Sequence, residues 1–218
     1  MKWTEADGTV KEWSANGLDA KVKVVCDSCN NGWMSDLENA AKPIVQDMIL
    51  DPKEVTLGPK ELTLIAALAF KSAVIADHIR LNKVPFIYDA AQRRRFAKSL
   101  AIPAGVQMWI GGVDQRCGLL KGGDNATDRG ASDGFRLNVC TYIIGHLVLQ
   151  VTCPRWAKGA NRRRQAPGRL TQSPEANNVA TPFWPLPKLP IIWPPPSFMT
   201  KDSIDAFADR WKKLIVAP

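Results

Sequence analysis

Apolar positions change their period along the chain. Thr9–Trp13 and Ala20–Val25 are short runs with partial alternation, and the Asn16-Gly17 between them is a tight-turn dipeptide, so a β-hairpin is predicted. Further on the spacing becomes helical, with Leu37, Ala40, Ala41, Ile44, Val45 and Met48 on one face. Ser35-Asp36-Leu37-Glu38 has the form of a capping box that opens this helix, and Pro43 is expected to kink it or end its first part. Gly58-Pro59 starts a second helix to about Leu81, apolar on most sides through Leu62, Ile65, Leu68, Ala69, Phe70, Val74 and Ile79, as a central buried helix is. A third, capped by Asp89, carries Arg93, Arg94, Arg95 and Lys98 beside Phe96 and Leu100. After Pro103 the pattern turns to strands: Val106–Val113, a glycine-rich loop through Gly130, then Phe135–Ile144 and His146–Cys153 around Gly145. Thr200 caps a last amphipathic helix with Ile204, Phe207, Trp211 and Leu214 on one side.

These elements define an α+β protein. Three segments are expected: a ββα unit over 1–58, a helical and then β-rich part over 59–153, and a basic, proline-rich end with a terminal helix packing on the core over 154–218. The last boundary follows composition, because 11 of the 16 prolines lie between Pro154 and Pro218. Ala157–Ala180 reads as a loop, and the Trp184-Pro185 and Trp193-Pro194 segments as extended straps that lay tryptophans on a core.

The 218 residues contain 45% hydrophobic and 23% charged positions, which excludes a wholly disordered chain. No run approaches the roughly 18 uncharged apolar residues a membrane span needs, since Leu62–Ile79 carries Lys71, Asp77 and His78. No signal-peptide core follows Met1, and five cysteines fit a reducing compartment, so no membrane partner and a cytoplasmic location are expected.

The net charge of +8 is unevenly placed: −4 over residues 1–58, +5 over 59–100, balanced over 101–153 and +7 over 154–218. Basic surface attracts polyanions, nucleic acid above all, through release of condensed counterions. Arg93, Arg94, Arg95 and Lys98 on the third helix and Arg162, Arg163 and Arg164 in the basic loop are the candidate phosphate contacts. Consecutive arginines on a helix point in different directions, so at most two of Arg93–Arg95 share a face. The alternative for both groups is solvated surface.

Cys26 and Cys29 are the one pair at metal-ligand spacing, which lets a tight turn present two sulfurs to a tetrahedral zinc. The pair is half a site, because no second CxxC, CxxH or HxxxH occurs. A thioredoxin-like dithiol requires a βαβ setting with the helix beginning at the first cysteine. Here Asn30-Asn31-Gly32-Trp33 is expected to form a turn ahead of the Ser35 cap, which argues against that chemistry. Cys117, Cys140 and Cys153, in or beside strands, read as small core residues. His78 and His146 read as partly buried, satisfied histidines.

The order hairpin, Cys-x-x-Cys-Asn, helix resembles the second half of the treble clef in HNH-type endonucleases. The stretch Cys26 to Glu38 is similar to the segment CxxCNNGWMSxLE of bacterial HNH-like proteins. The resemblance covers about the first fifty residues. It implies that Cys26 and Cys29 are structural zinc ligands and that Asn30 stands at or near a catalytic divalent metal such as Mg. In that family a preceding CxxC completes the zinc site, and a preceding His activates water to hydrolyse a phosphodiester of DNA. Residues 1–25 hold no Cys and no His. The expectation is therefore a truncated reading frame or a decayed remnant, inactive as a nuclease. Ligands supplied by Cys117, Cys140, Cys153 or a second copy sharing the zinc in a dimer are the alternative. A different class of function, a non-catalytic nucleic-acid-binding or structural module, competes with the nuclease reading.

Overall fold

The computed structural model describes residues 2–4, 10–12, 25–78, 86–126, 135–156 and 178–211. Two long antiparallel strands, β4 (Gln107–Ala126) and β5 (Phe135–Trp156), form its spine, and β6 (Ala180–Trp184) pairs with the other edge of β4. Side chains alternate between the two faces of this sheet, as a period of two requires. Met108, Ile110, Cys140, Tyr142, Leu147, Leu149 and Val151 face a helical layer. Trp109, Leu137, Val139, Ile143 and Val148 face the opposite side. The fold is α+β, with helices covering both faces of an antiparallel sheet.

The helical layer consists of α2 (Ser35–Leu50), α3 (Pro59–Ala76) and α4 (Ala90–Ser99). α2 buries Leu37, Ala41, Val45 and Met48, a stripe at helical spacing, and runs through Pro43 to Leu50 without ending there. Pro43 is exposed, so its missing N–H faces water rather than core. α3 opens with Pro59 at its first position, and the Glu61 carboxylate accepts the Gly58 N–H at 3.1 Å. It ends at Ala76, short of the expected Leu81; residues 79–81 lie outside the described residues. The buried Lys71 ammonium reaches from α3 to Glu38 on α2, which sets the two helices antiparallel.

On the other face, α5 (Lys201–Asp209) lays Ile204 and Phe207 on the sheet, with Trp211 beyond its last turn. The Trp211 indole N–H donates to Gln150 Oε1 at 2.7 Å, and Gln150 Nε2 donates to Thr141 Oγ1 at 2.7 Å. This buried network satisfies polar groups that would otherwise be costly. Leu214 lies outside the described residues. The strap β7 (Ile191–Trp193) pairs with β3 (Val55–Leu57), so the first and last of the three expected segments share a two-stranded sheet. Trp193 is fully buried and donates to the Gly111 carbonyl at 2.9 Å.

Three sequence expectations differ from the structure. The strand expected at Thr9–Trp13 is β2 (Val10–Glu12), and its described partner is β1 (Lys2–Thr4) upstream. Asp7-Gly8 between them is a turn dipeptide of the same kind as Asn16-Gly17, and residues 20–24 lie outside the described residues. The glycine-rich stretch after Val113 continues as strand to Ala126, and the runs on either side of Gly145 are one strand. Gly145 adopts φ +60° opposite a register shift between Gly112 and Cys117, where extra residues bulge from β4 while β5 runs on as one strand. A Cβ at Gly145 would collide with the Ile49 carbonyl, so only glycine fits that approach.

The third difference concerns the cysteine segment. Ser35 is helical and caps nothing: the chain already turns helically at Asp27–Cys29 (α1), passes through a π turn at Asn30–Met34 and continues into α2. Gly32, at φ −99° and ψ −119°, is the kink that joins the two axes.

Candidate nucleic-acid interface

Cys26 occupies the N-cap of α1 in extended conformation (φ −73°, ψ 155°), and its carbonyl accepts the Asn30 N–H at 2.9 Å. Its side chain is exposed, with the Ser28 hydroxyl 3.2 Å from the sulfur. That hydroxyl, the Cys29 N–H and the Cys29 thiol together lower the Cys26 thiol to about 7. Cys29 is half-buried. The exposed Asn30 donates through Nδ2 to Asn31 Oδ1 at 3.4 Å.

Trp33 then turns inward. Its ring meets Phe96 of α4 edge-to-face, with centroids 5.5 Å apart and planes at 89°. Phe96 in turn packs on Phe70 of α3 at 4.8 Å, and Phe70 on Tyr88 at 4.9 Å. The aromatic chain seats α4 against the cysteine-bearing end of the helical layer. The Asp89 carboxylate accepts the Gln92 N–H at 2.8 Å, while Gln92 Oε1 accepts the Asp89 N–H at 3.1 Å, so α4 starts where its cap chemistry dictates.

With Phe96 pointing into the core, helical geometry puts Arg94 and Lys98 on the opposite, solvent side and Arg95 beside them. All three are exposed, and among the described residues none has an acidic partner. Arg93 points elsewhere: its guanidinium lies 4.7 Å over the Phe86 ring and donates to the Tyr88 carbonyl at 2.6 Å. Arg93 is thus held by Phe86 and Tyr88. Arg162, Arg163 and Arg164 lie outside the described residues.

Antiparallel packing of α2 and α3 brings His78, just past α3, to this same end. Its ring is 4.7 Å from Phe86, and burial, then the nearby Arg93 charge, lower its pKa. His146 belongs to the sheet, where Nδ1 is 2.8 Å from the Val113 carbonyl. Cys140 and Cys153 are buried core residues, and Cys117 is half-exposed on β4.

The thiols at Cys26 and Cys29 make two of the four positions of a tetrahedral zinc. Among the described residues no group of three or more His, Cys, Asp or Glu side chains could hold a metal ion, so the described residues add no third ligand to this pair. Among them, too, no helix is long and apolar enough to cross a membrane.

The residues that assemble this end, Trp33, Phe70, Phe86 and Phe96, were not legible as site residues. The one signal was a tryptophan following Cys-x-x-Cys-Asn-Asn-Gly, a large ring beside a polar turn. No protein-family model matches the chain, and no curated protein or solved structure does either.

Proposed function

We propose that this protein binds nucleic acid, DNA foremost, on an HNH-endonuclease-like scaffold, and that it does so without cleaving it. The observation that supports this reading is the exposure of Arg94, Arg95 and Lys98 on α4, the helix whose Phe96 is seated on Trp33. Among the described residues these three cations have no acidic partner; they contact phosphates and read no bases, so binding is sequence-tolerant and steeply salt-dependent. Hydrolysis would need a base aimed at a water near Asn30. His146 is held in the sheet, and His78 is packed on Phe86.

The test is fluorescence anisotropy of a labelled duplex across a salt series. Each phosphate contact contributes about 0.9 to the slope of log K against log salt, so the Arg94→Ala/Arg95→Ala/Lys98→Ala variant loses about 2 to 3 units of slope. Equal affinity and slope in wild type and variant would overturn the interface. A magnesium-dependent nicking activity that Asn30→Ala abolishes would replace binding alone with the nuclease reading.

A further inference from the structure

We propose that Cys26 and Cys29 are a reversible dithiol–disulfide couple that reduces disulfides, of small molecules or of exposed protein segments. The inference is independent of DNA binding. It follows from the start of α1 at the first cysteine, the arrangement that the sequence pattern alone argues against.

The Cα separation of residues 26 and 29 is set by the dihedrals of Asp27 and Ser28, both helical. Helix geometry then gives about 5 Å, inside the range of roughly 4.4–6.8 Å that a disulfide spans without backbone movement. The two sulfurs differ in access: Cys26 is exposed and Cys29 half-buried, which divides the roles of attacking and resolving thiol. Among the described residues no third metal-ligating side chain competes for them.

The electron balance is closed by the substrate disulfide. Cys26, as thiolate, attacks one sulfur of R–S–S–R′, forming a mixed disulfide and expelling R′S⁻, which takes up a proton. Cys29 loses its proton and attacks the Cys26 sulfur, forming the Cys26–Cys29 bond and expelling RS⁻. Counting the proton Cys26 loses on becoming the thiolate, the protein gives up two electrons and two protons; RS⁻ takes up the second proton, and the substrate becomes two thiols. A thiol such as reduced glutathione reverses both steps.

The experiment equilibrates the full chain in glutathione buffers of graded ratio with a chelator present, quenches with acid, alkylates free thiols and maps the peptides by mass spectrometry. The expected result is a two-electron transition in which the Cys26–Cys29 peptide loses both alkylation sites together, while Cys29→Ser traps glutathione on Cys26. Glutathione accumulating on the wild-type pair without conversion to the internal disulfide would overturn the proposal. So would one zinc per chain, measured without chelator, that blocks oxidation until it is removed. Zinc that leaves oxidation unaffected, or its absence, accords with the couple. Duplex binding by Cys26→Ser tests the nucleic-acid reading separately.

Discussion

Trp33 and Phe96 stand edge-to-face with ring centroids 5.5 Å apart, so the turn that carries the cysteines is fastened to the helix that carries the exposed arginines. Phe96 is 1% exposed and also meets Phe70 at 4.8 Å, so it is the inner member of the pair. Phe96→Ala is expected to cost about 3–5 kcal/mol, as large aromatic truncations in cores do. Trp33, half-buried, should cost less. A double-mutant cycle by urea denaturation should return a coupling of about 0.5–1.5 kcal/mol. Strict additivity would mean that the turn and the helix are held together by other contacts.

Neighbouring arginines on α4 should separate cleanly by experiment. Arg93→Ala removes a guanidinium stacked 4.7 Å over Phe86 and a hydrogen bond to the Tyr88 carbonyl. It is expected to destabilise the fold by about 1 kcal/mol and to leave the salt slope of DNA binding unchanged. Arg94→Ala should do the reverse, within about 0.5 kcal/mol of wild-type stability but with a flatter slope. Urea midpoints and anisotropy on the two variants check this; a slope change in Arg93→Ala would assign that side chain to the interface.

The division between legible and hidden features follows the range of the forces involved. The start of α4 could be read because Asp89 and Gln92 satisfy each other's backbone N–H groups locally. The run Val106–Val113 likewise announced a strand, and the structure buries Met108 and Ile110 on one face and Trp109 on the other. The start of the first helix was misread because Ser35 and Glu38 have the form of a cap, whereas the kink at Gly32 carries the helix back to Cys26. Gly145 reads locally as a break between two strands, whereas its place within β5 is under the Ile49 carbonyl, a close approach across about a hundred residues that no local pattern encodes. At the candidate site the residue types were legible, but which arginine faces solvent was not. That depends on Phe86 and Tyr88, which claim Arg93.

His78 gives the protein a pH dependence with a definite sign. Burial and the Arg93 charge favour its neutral form, so its native pKa is below the ordinary 6.5. The unfolded chain takes up the proton first as pH falls, so the contribution to stability is fully present above about 6.5 and is lost as pH drops toward the native pKa. Urea midpoints at pH 7.5, 6.5 and 5.5 should therefore decline, and His78→Gln should remove the part of that decline due to this group. An imidazole NMR titration in Arg93→Gln should move the midpoint back upward. A midpoint unchanged by Arg93→Gln would rule out the through-space charge as a cause.

The five cysteines should react in an order set by exposure and by what surrounds each sulfur. At pH 7 about half of Cys26 is thiolate, because the Ser28 hydroxyl and the Cys29 N–H and thiol hold it at about 7. Cys140 is pushed up to about 12 by burial and the nearby Asp77 charge, and Cys153 is buried in the same core. Iodoacetamide in native buffer should modify Cys26 first and leave Cys140 and Cys153 untouched until the protein is unfolded in urea. Ser28→Ala removes the largest of the effects that lower the Cys26 thiol, so alkylation of Cys26 at pH 7 should slow by roughly threefold, the loss of thiolate being partly offset by its greater nucleophilicity. The rate should recover as pH is raised, because the substitution moves the titration and leaves the access of the sulfur unchanged. An equal slowing at every pH would mean instead that Ser28 governs access, and the hydroxyl would lose its role in activating the thiol.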